Sequence, residues 1–406
     1  MKYMHEKVRE TVENRRIWAQ IDLDALVNNY VVSRDYMRTL HPGVPVMAVI
    51  KANAYGHGAG PCARALYGSG CRYFAVASLE EGIVLRKSLA DLATERVEIL
   101  LLGRTDPACA SLLHQYGLTQ TLYSKEYAAE LHASAKQADV MLDVHVKVDT
   151  GMHRIGYPAY TAALAEQTVR EIGALADTCD AFCVKGMFTH LSDADGGSFC
   201  REQWRRFCTV KQGLEQLGKC PAFCHVCNSS GSMRYPDTYL SGVRLGALLF
   251  GVAPLDLPSR EREDGSNLFP VERLRPVMRL QTRIIHLHRV AAGEPVGYGA
   301  LYRSDRDRVI ATLSAGYADG WLRAYADTRV IVHTAKGDVS APTVGRICMD
   351  LCMIDVTDLP CEIGDVVTLF GQDLPSLAAL AEHAGTIAYE IPCLVTARVP
   401  RVYSES

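Results

Sequence analysis

From about residue 18 to residue 250, apolar strand-like runs alternate with helix-like segments, and the joints between them are short. Strand candidates fall at 18–23, 44–50, 73–77, 97–102, 118–123, 143–148, 184–189, 222–227 and 242–250. Helix-like stretches lie between them at 79–89, 107–115, 125–137, 159–173 and 199–217. Several strands, such as VPVMAVI and VEILLLG, are continuous apolar runs, as expected when both faces of a strand are covered. Strand–helix units of this size build a parallel sheet, and eight or so units over about 250 residues fit a (β/α)8 TIM-type barrel better than an open sheet. The open nucleotide-binding alternatives lack their usual loop: no GxGxxG follows the first strand, and there is no GxxxxGK[ST].

The pattern changes near Ser259, where PSREREDGSN is charged and turn-rich. Beyond it the strand candidates at 277–290, 309–313, 330–334, 348–356 and 366–370 follow one another with turns between, and MRLQTRIIHLHRV alternates with period two. Only 375–383 reads as helix. The expected organisation is an N-terminal extension at 1–16, an α/β barrel at 17–262, and a smaller, mainly-β domain at 263–406.

A net charge of −3 gives no global field toward nucleic acid or an anionic membrane, and no apolar run reaches the roughly 20 residues of a bilayer crossing. The opening MKYMHEKVRETVENRRIW is polar and lacks the apolar stretch of a secretory signal. A cytoplasmic location is therefore expected. The 14 cysteines read as reduced core thiols rather than a disulfide scaffold, since many sit inside apolar strands. The lone Cys224–Cys227 CxxC is weak evidence for a metal or redox site, and the His286–His288 HxH has no third ligand nearby in sequence, so no metal is expected.

The most informative segment is VMAVIKANAYGHG, in which an apolar strand ends directly in Lys51. Catalytic groups of a barrel project from the carboxyl ends of its strands. A lysine at that edge has its ammonium form disfavoured by desolvation and suits a Schiff base. The alternative is a lysine that snorkels to solvent. Other candidates hold equivalent places: Lys147 and Asp149 close DVHVKVD, Arg154 follows in DTGMHRIG, and His190 closes VKGMFTH. Asn228 and Ser229 follow AFCHVC, and Arg244 lies in GVRLG. Singly, each has an ordinary explanation, such as a hydrogen-bonded structural histidine or a helix N-cap. Together they supply an amine, two guanidinium groups, a flat ring and a hydroxyl at a helix start, a set suited to a phosphorylated aromatic aldehyde. In the second domain Tyr298 sits between glycines in VGYGALY, where it either packs at a strand end or presents its phenol to another surface.

These motifs resemble the alanine racemase family from about Trp18 to Tyr403. AVIKANAYGHG is similar to that family's cofactor-lysine motif, and VKVDTGMHRIG, THLSDAD, CNSSG, VRLG, GYGALY, GYADGW, GRICMD and TIAYEIPC follow in the family's order. The resemblance implies pyridoxal 5'-phosphate as cofactor, a cytoplasmic homodimer with shared sites, and D-alanine supplied for peptidoglycan. It implies that Lys51 forms the Schiff base and acts on one face of the substrate Cα, while Tyr298 from the other subunit acts on the opposite face. It assigns Tyr55, Ser229, Gly246 and Tyr389, beside Asn228, to the cofactor phosphate. Arg244 goes to the pyridine nitrogen and His190 packs near the ring. Arg154 contacts the phenolic oxygen and the substrate carboxylate. By the same resemblance Lys147 is carbamylated and orients Arg154, the Met349 backbone N–H binds the substrate carboxylate with Asp350 beside it, and Tyr317 and Arg346 line the entrance.

Three departures are visible: His153 before the loop arginine, Leu351 after MD, and a longer N-terminal extension. They touch no proposed catalytic group. Three rivals remain. A serine racemase or broad small-amino-acid racemase is disfavoured by Tyr389, although a small apolar pocket rejects one hydroxyl poorly. A decarboxylase of similar architecture would use a cysteine such as Cys348. A non-catalytic cofactor-binding protein would need only the barrel.

Overall fold

The computed structural model describes residues 15–92, 94–195, 197–252, 269–371 and 376–404. Eight strands form a parallel ring: β2 (Val46–Val49), β3 (Tyr73–Val76), β4 (Glu98–Leu101), β5 (Thr119–Leu122), β6 (Leu142–Asp149), β8 (Phe182–Phe188), β9 (Phe223–His225) and β10 (Val243–Leu245). β10 pairs with β2, and a parallel bridge between His225 and Gly242 closes the circle. The short β7 (Tyr157–Pro158) hangs on the end of β6.

Residue parity decides which way each side chain points. On β2, Val46, Ala48 and Ile50 join the large core under the helices, whereas Met47 and Val49 join Ala75, Leu100 and Phe188 in a small cluster on the barrel axis. On β6, Val144, Val146 and Val148 face the helical layer. The alternate residues Asp143, His145, Lys147 and Asp149 therefore line the axis. Several helices start at side-chain caps, each worth ~1 kcal/mol. Asp22 caps Leu23–Leu40, Ser78 caps Leu79–Ser88, Ser124 caps Lys125–Gln137 and Thr161 caps Ala162–Thr178.

The second sheet runs β14 (Arg308–Leu313), β17 (Cys352–Asp355), β16 (Gly337–Val344), β15 (Arg329–Thr334), β18 (Val366–Phe370), β11 (Met278–Val290), β1 (Ile17–Asp22), β19 (Arg401–Ser404). β11 also pairs with β14, and a register shift between Ile284 and His286 lets this long strand serve both neighbours. A small hairpin, β12 (Pro295–Val296) with β13 (Tyr302–Arg303), carries the Tyr298 turn.

One expectation is corrected here. The run at 18–23 is not a barrel strand: β1 pairs antiparallel with β11 and parallel with β19, so residues from 17 onward first build the second sheet. Its apolar residues are buried, as a barrel strand's would be, but pairing partners are not encoded in the run itself. The expected strand at 242–250 is also shorter, ending at Leu245 before a 3-10 turn at Ala247–Phe250. The proposed boundary near Ser259 and most of the N-terminal extension lie outside the described residues. Among the described residues, no helix is long and apolar enough to cross a membrane.

Candidate active site

At the carboxyl ends of the barrel strands opens a cavity of about 740 Å3. Its wall includes Lys51, Tyr55, Lys147, Arg154, His190, Asn228, Ser229, Arg244, Gly246 and Tyr389, all singled out from sequence.

Lys51 begins a turn of unusual hand. Ala52, Asn53, Ala54 and Tyr55 have φ of 51, 53, 56 and 52°. Left-handed helical backbone costs a non-glycine residue roughly 1–2 kcal/mol, so tertiary contacts must hold it. The Glu81 carboxylate accepts from Ala52 N and Ala77 N, both at 2.7 Å, tying the ends of β2 and β3 together. The Asn53 side chain accepts from Ala59 N at 2.8 Å. Gly56 lets the turn close: a Cβ there would sit 2.1 Å from the Pro392 carbonyl oxygen. The turn delivers the Tyr55 phenol to Gly246, where a Cβ would lie 2.5 Å from the Tyr55 hydroxyl. Gly246 N donates to the Ser229 hydroxyl at 3.0 Å, and Asn228 caps the following helix through Gly231 N at 2.9 Å. Burial and the Arg154 charge lower the Lys51 pKa, against opposing pulls from Glu81 and Cys393.

Arg244 is a buried cation held by neutral groups. Its terminal nitrogens donate to the carbonyls of Thr189 at 2.8 Å, Val226 at 2.9 Å and His225 at 3.1 Å, and to His225 Nδ1 at 2.6 Å. Arginine only donates, so His225 Nδ1 must accept. His225 then donates from Nε2 to His145 Nδ1 at 3.1 Å. Burial and the arginine keep His225 neutral, well below the ordinary histidine range. His145 is held down to about 3 by burial, Lys185 and Arg244. His190 is likewise depressed, by burial and then by Arg244 and Arg154. The Phe188 ring stacks on His225 at 4.8 Å and lies under the Arg244 guanidinium at 5.3 Å. Burial lowers even Arg244 to about 10.

Lys147 is pulled down to about 8 by burial, Arg154 and Arg244, with Asp149 opposing. One Asp149 oxygen accepts from Gly151, Met152 and His153 N at 2.9, 3.0 and 3.1 Å. That three-way bond shapes the loop that carries Arg154.

The second-domain candidates form another group. Tyr298 is 69% exposed, in a turn where Gly297 and Gly299 have φ of 76 and 80°. It is not part of the cavity wall of its own chain. Arg346 lies against that turn: its Nη1 would sit 3.5 Å from a Cβ at Gly299. Tyr317 N donates to the Cys348 carbonyl and Ala318 N to that of Met349, both at 3.0 Å. Asp350 pairs with Arg398 at 2.5 Å. Tyr298, Leu301, Met349 and Leu351 are exposed apolar side chains.

The residues missed from sequence are Phe188, which is part of the wall, and Glu81, His145 and His225, which act behind it. A signal existed for His145. In DVHVKVD every second residue is polar, which is anomalous in a parallel strand covered on both faces. Glu81 had none, since it reads as the third residue of a solvated helix start.

The alanine racemase N-terminal domain model matches residues 21–254 and the C-terminal domain model residues 277–403. The alanine racemase of Desulfovibrio desulfuricans is 38% identical over 396 residues, 97% of this chain and 99% of that protein. That of Geobacillus stearothermophilus is 35% identical over 395 residues, 96% of this chain and 94% of that protein. Among solved structures, the Streptomyces coelicolor alanine racemase superposes with a TM-score of 0.85 at 30% identity, covering 98% of this chain and 100% of that one. The Clostridium difficile alanine racemase in complex with cycloserine gives 0.83 at 33% identity, covering 97% and 96%. With matching models over both regions and relatives aligned along almost its whole length, this chain belongs to the alanine racemase family.

Proposed function

We propose that this protein interconverts L- and D-alanine with pyridoxal 5'-phosphate bound at the barrel mouth. The observation that carries the reading is Lys51: an amine at a strand end, in the wall of a cavity shared with Lys147, Arg154 and Arg244, with its pKa lowered by burial and a neighbouring cation.

The cavity wall fits that cofactor. Its cations favour an anionic ligand. The close approach of Tyr55 to the bare Cα of Gly246, beside Ser229 and Asn228, makes a small polar cradle for a phosphate, with Tyr389 on the same wall. Arg244 would face the ring nitrogen, His190 the ring, and Arg154 the phenolic oxygen and the substrate carboxylate. When bound, the cofactor draws electron density from the amino acid Cα and makes its proton removable.

The chain's own groups do the rest. Lys51 Nζ, whose ammonium form burial and the Arg154 charge disfavour, takes or returns the proton on one face of Cα. The second base is the partner's Tyr298, since a phenol on an exposed glycine-flanked turn is placed to reach another molecule's cavity. The exposed apolar rim around it is where a second copy would sit, forming a homodimer. With the phenol, the Met349 backbone N–H would bind the substrate carboxylate with Asp350 beside it, and Tyr317 and Arg346 would line the entrance. Arg244, held as a cation by neutral His225 and three carbonyls, would give the ring nitrogen of a bound cofactor a hydrogen bond and no proton, which would limit charge delocalisation and side reactions. Lys147, with a pKa of about 8, has a neutral fraction that can add CO2, losing one proton to give a carbamate beside Arg154. A cytoplasmic setting, with D-alanine drawn off for peptidoglycan, completes the reading.

The test is chiral chromatography after incubating the cofactor-loaded protein with L-alanine, D-alanine and L-serine. Equal amounts of the two alanine enantiomers are expected from either side. Unchanged alanine, or preferred racemisation of serine, would overturn the assignment.

A further inference from the structure

Helix Phe199–Gln216 follows β8 and packs outside the barrel, yet one of its residues reaches back to the mouth. Gln203 is 0% exposed. Its Nε2 donates to the His190 carbonyl at 3.1 Å and to the Thr150 hydroxyl at 3.3 Å. Its Oε1 accepts from Ser192 N at 2.8 Å and from the Ser192 hydroxyl at 3.0 Å. Ser192 N is an obligate donor and the His190 carbonyl an obligate acceptor, so the amide can be oriented only one way.

These partners belong to two different loops. Thr150 begins the segment after β6 that carries Arg154. His190 and Ser192 follow β8. A bond of 2.8 Å between the Thr150 and Thr189 hydroxyls joins the loops a second time, and the Thr189 carbonyl accepts from Arg244. One helical turn beyond Gln203, Arg206 donates to the Thr150 carbonyl at 2.9 Å. We infer that Gln203 is a positioning residue: its amide sets the spacing between the loop bearing Arg154 and the segment bearing His190, and so the geometry of the two groups that flank the cavity from β6 and β8.

The chemistry of the side chain supports this over simple packing. A helix face needing only bulk would be served by leucine or methionine, and a buried amide is costly unless fully bonded. Gln203 uses both donors and both acceptor positions, and none of these bonds stays within its own helix. The inference rests on the racemase reading for its kinetic consequence and on geometry alone for the loop coupling.

The deciding variant is Gln203→Glu. An ionised carboxylate only accepts: it keeps the Ser192 bonds and confronts the His190 carbonyl with a second acceptor. Protonated, it regains one O–H donor. Burial raises a carboxyl pKa toward neutrality. The ratio of variant to wild-type kcat/KM should therefore climb, by about tenfold, as pH falls from about 9 to about 6.5. Gln203→Met, which has no usable donor, should lose about 10²-fold in kcat/KM at every pH. In cofactor-free protein, backbone hydrogen exchange at 150–154 and 189–192 should accelerate in Gln203→Met. A flat ratio in the Glu variant, or wild-type kinetics and exchange in the Met variant, overturns the inference while leaving the racemase reading intact. If the Glu variant does not fold, the Met variant decides alone. If wild-type protein fails to racemise alanine, the racemase reading falls, and the exchange experiment still decides whether Gln203 couples the loops.

Discussion

The barrel mouth and the Tyr298 rim of the second domain handle functional groups in opposite ways. At the mouth the groups sit on strand ends, largely out of water, and bond to one another: Arg244 is 3% exposed, Lys147 5% and His225 0%. At the rim Tyr298, Met349 and Asp350 stand on turns open to solvent, with glycines on either side of Tyr298. The difference teaches where each kind of control comes from. Desolvation and fixed neighbours perturb a charge, and only buried strand ends provide both. A group that works in another subunit's cavity must be exposed on its own chain, and its precision has to come from the complex.

The comparison can be broken most sharply at Lys51. Lys51→Ala should lower racemisation in both directions by on the order of 10⁴-fold, as loss of a positioned base and covalent anchor demands; survival of either direction in a chiral assay would remove the mouth from the chemistry. Next comes Tyr298→Phe, expected to cost about 10²–10³-fold in L-to-D turnover while cofactor affinity, followed by absorbance titration, stays within about twofold. Normal turnover would deny the rim any part in proton transfer.

The third expectation is a pH dependence. His145, His190 and His225 are neutral when folded and would bind protons below about 6.5 when unfolded. The unfolded chain then holds more protons, so stability is lost as pH falls through this range. Urea midpoints should drop between about pH 7 and pH 5, and His145→Gln should flatten the slope by about one proton. A slope unchanged in that variant would mean the axial histidines are not the source.

Smaller effects belong to the rim. Gly297→Ala forces an L residue to φ 76° and places its Cβ 2.8 Å from the Met353 methyl. With ψ at −175°, a backbone region essentially reserved for glycine, it should cost about 1–3 kcal/mol in stability, with turnover falling further because the Tyr298 turn moves. Asp350→Ala removes an ion pair whose side chains are 54% and 40% exposed, and should change stability by less than about 1 kcal/mol. A large loss there would show that the rim is less open in solution than its exposure indicates.

Much of the mouth was legible before any coordinates. Lys51, His190 and Asn228 sit at or just past the end of a strand-like run, Lys147 near the end of the alternating DVHVKVD and Arg244 within the short GVRLG strand, and such strands can be read from local pattern. The backbone of the Lys51 turn was not legible. The glycines of that stretch come only at 56 and 58, yet the left-handed non-glycine residues are Ala52 through Tyr55, held by Glu81 and by the Pro392 segment far along the chain. The first strand misled for the same reason: an apolar run says that a strand is buried and is silent about its partners. In the sequence Gln203 is one polar residue among many in the helix-like stretch 199–217, and only its bonds to Thr150, His190 and Ser192 distinguish it.

The amino-acid order determined what depends on a residue and its immediate neighbours: strand and helix periods, the face each side chain takes, caps, and the place where an amine meets the end of an apolar wall. Tertiary structure decided what depends on groups remote in the chain. It put β1 beside β11, opposed Arg16 to Asp319, set neutral histidines behind Arg244, and left Tyr298 exposed and outside the wall of its own chain's cavity. Local order cannot specify such pairings because their energies arise only when distant segments are desolvated together, in a geometry that the whole fold imposes.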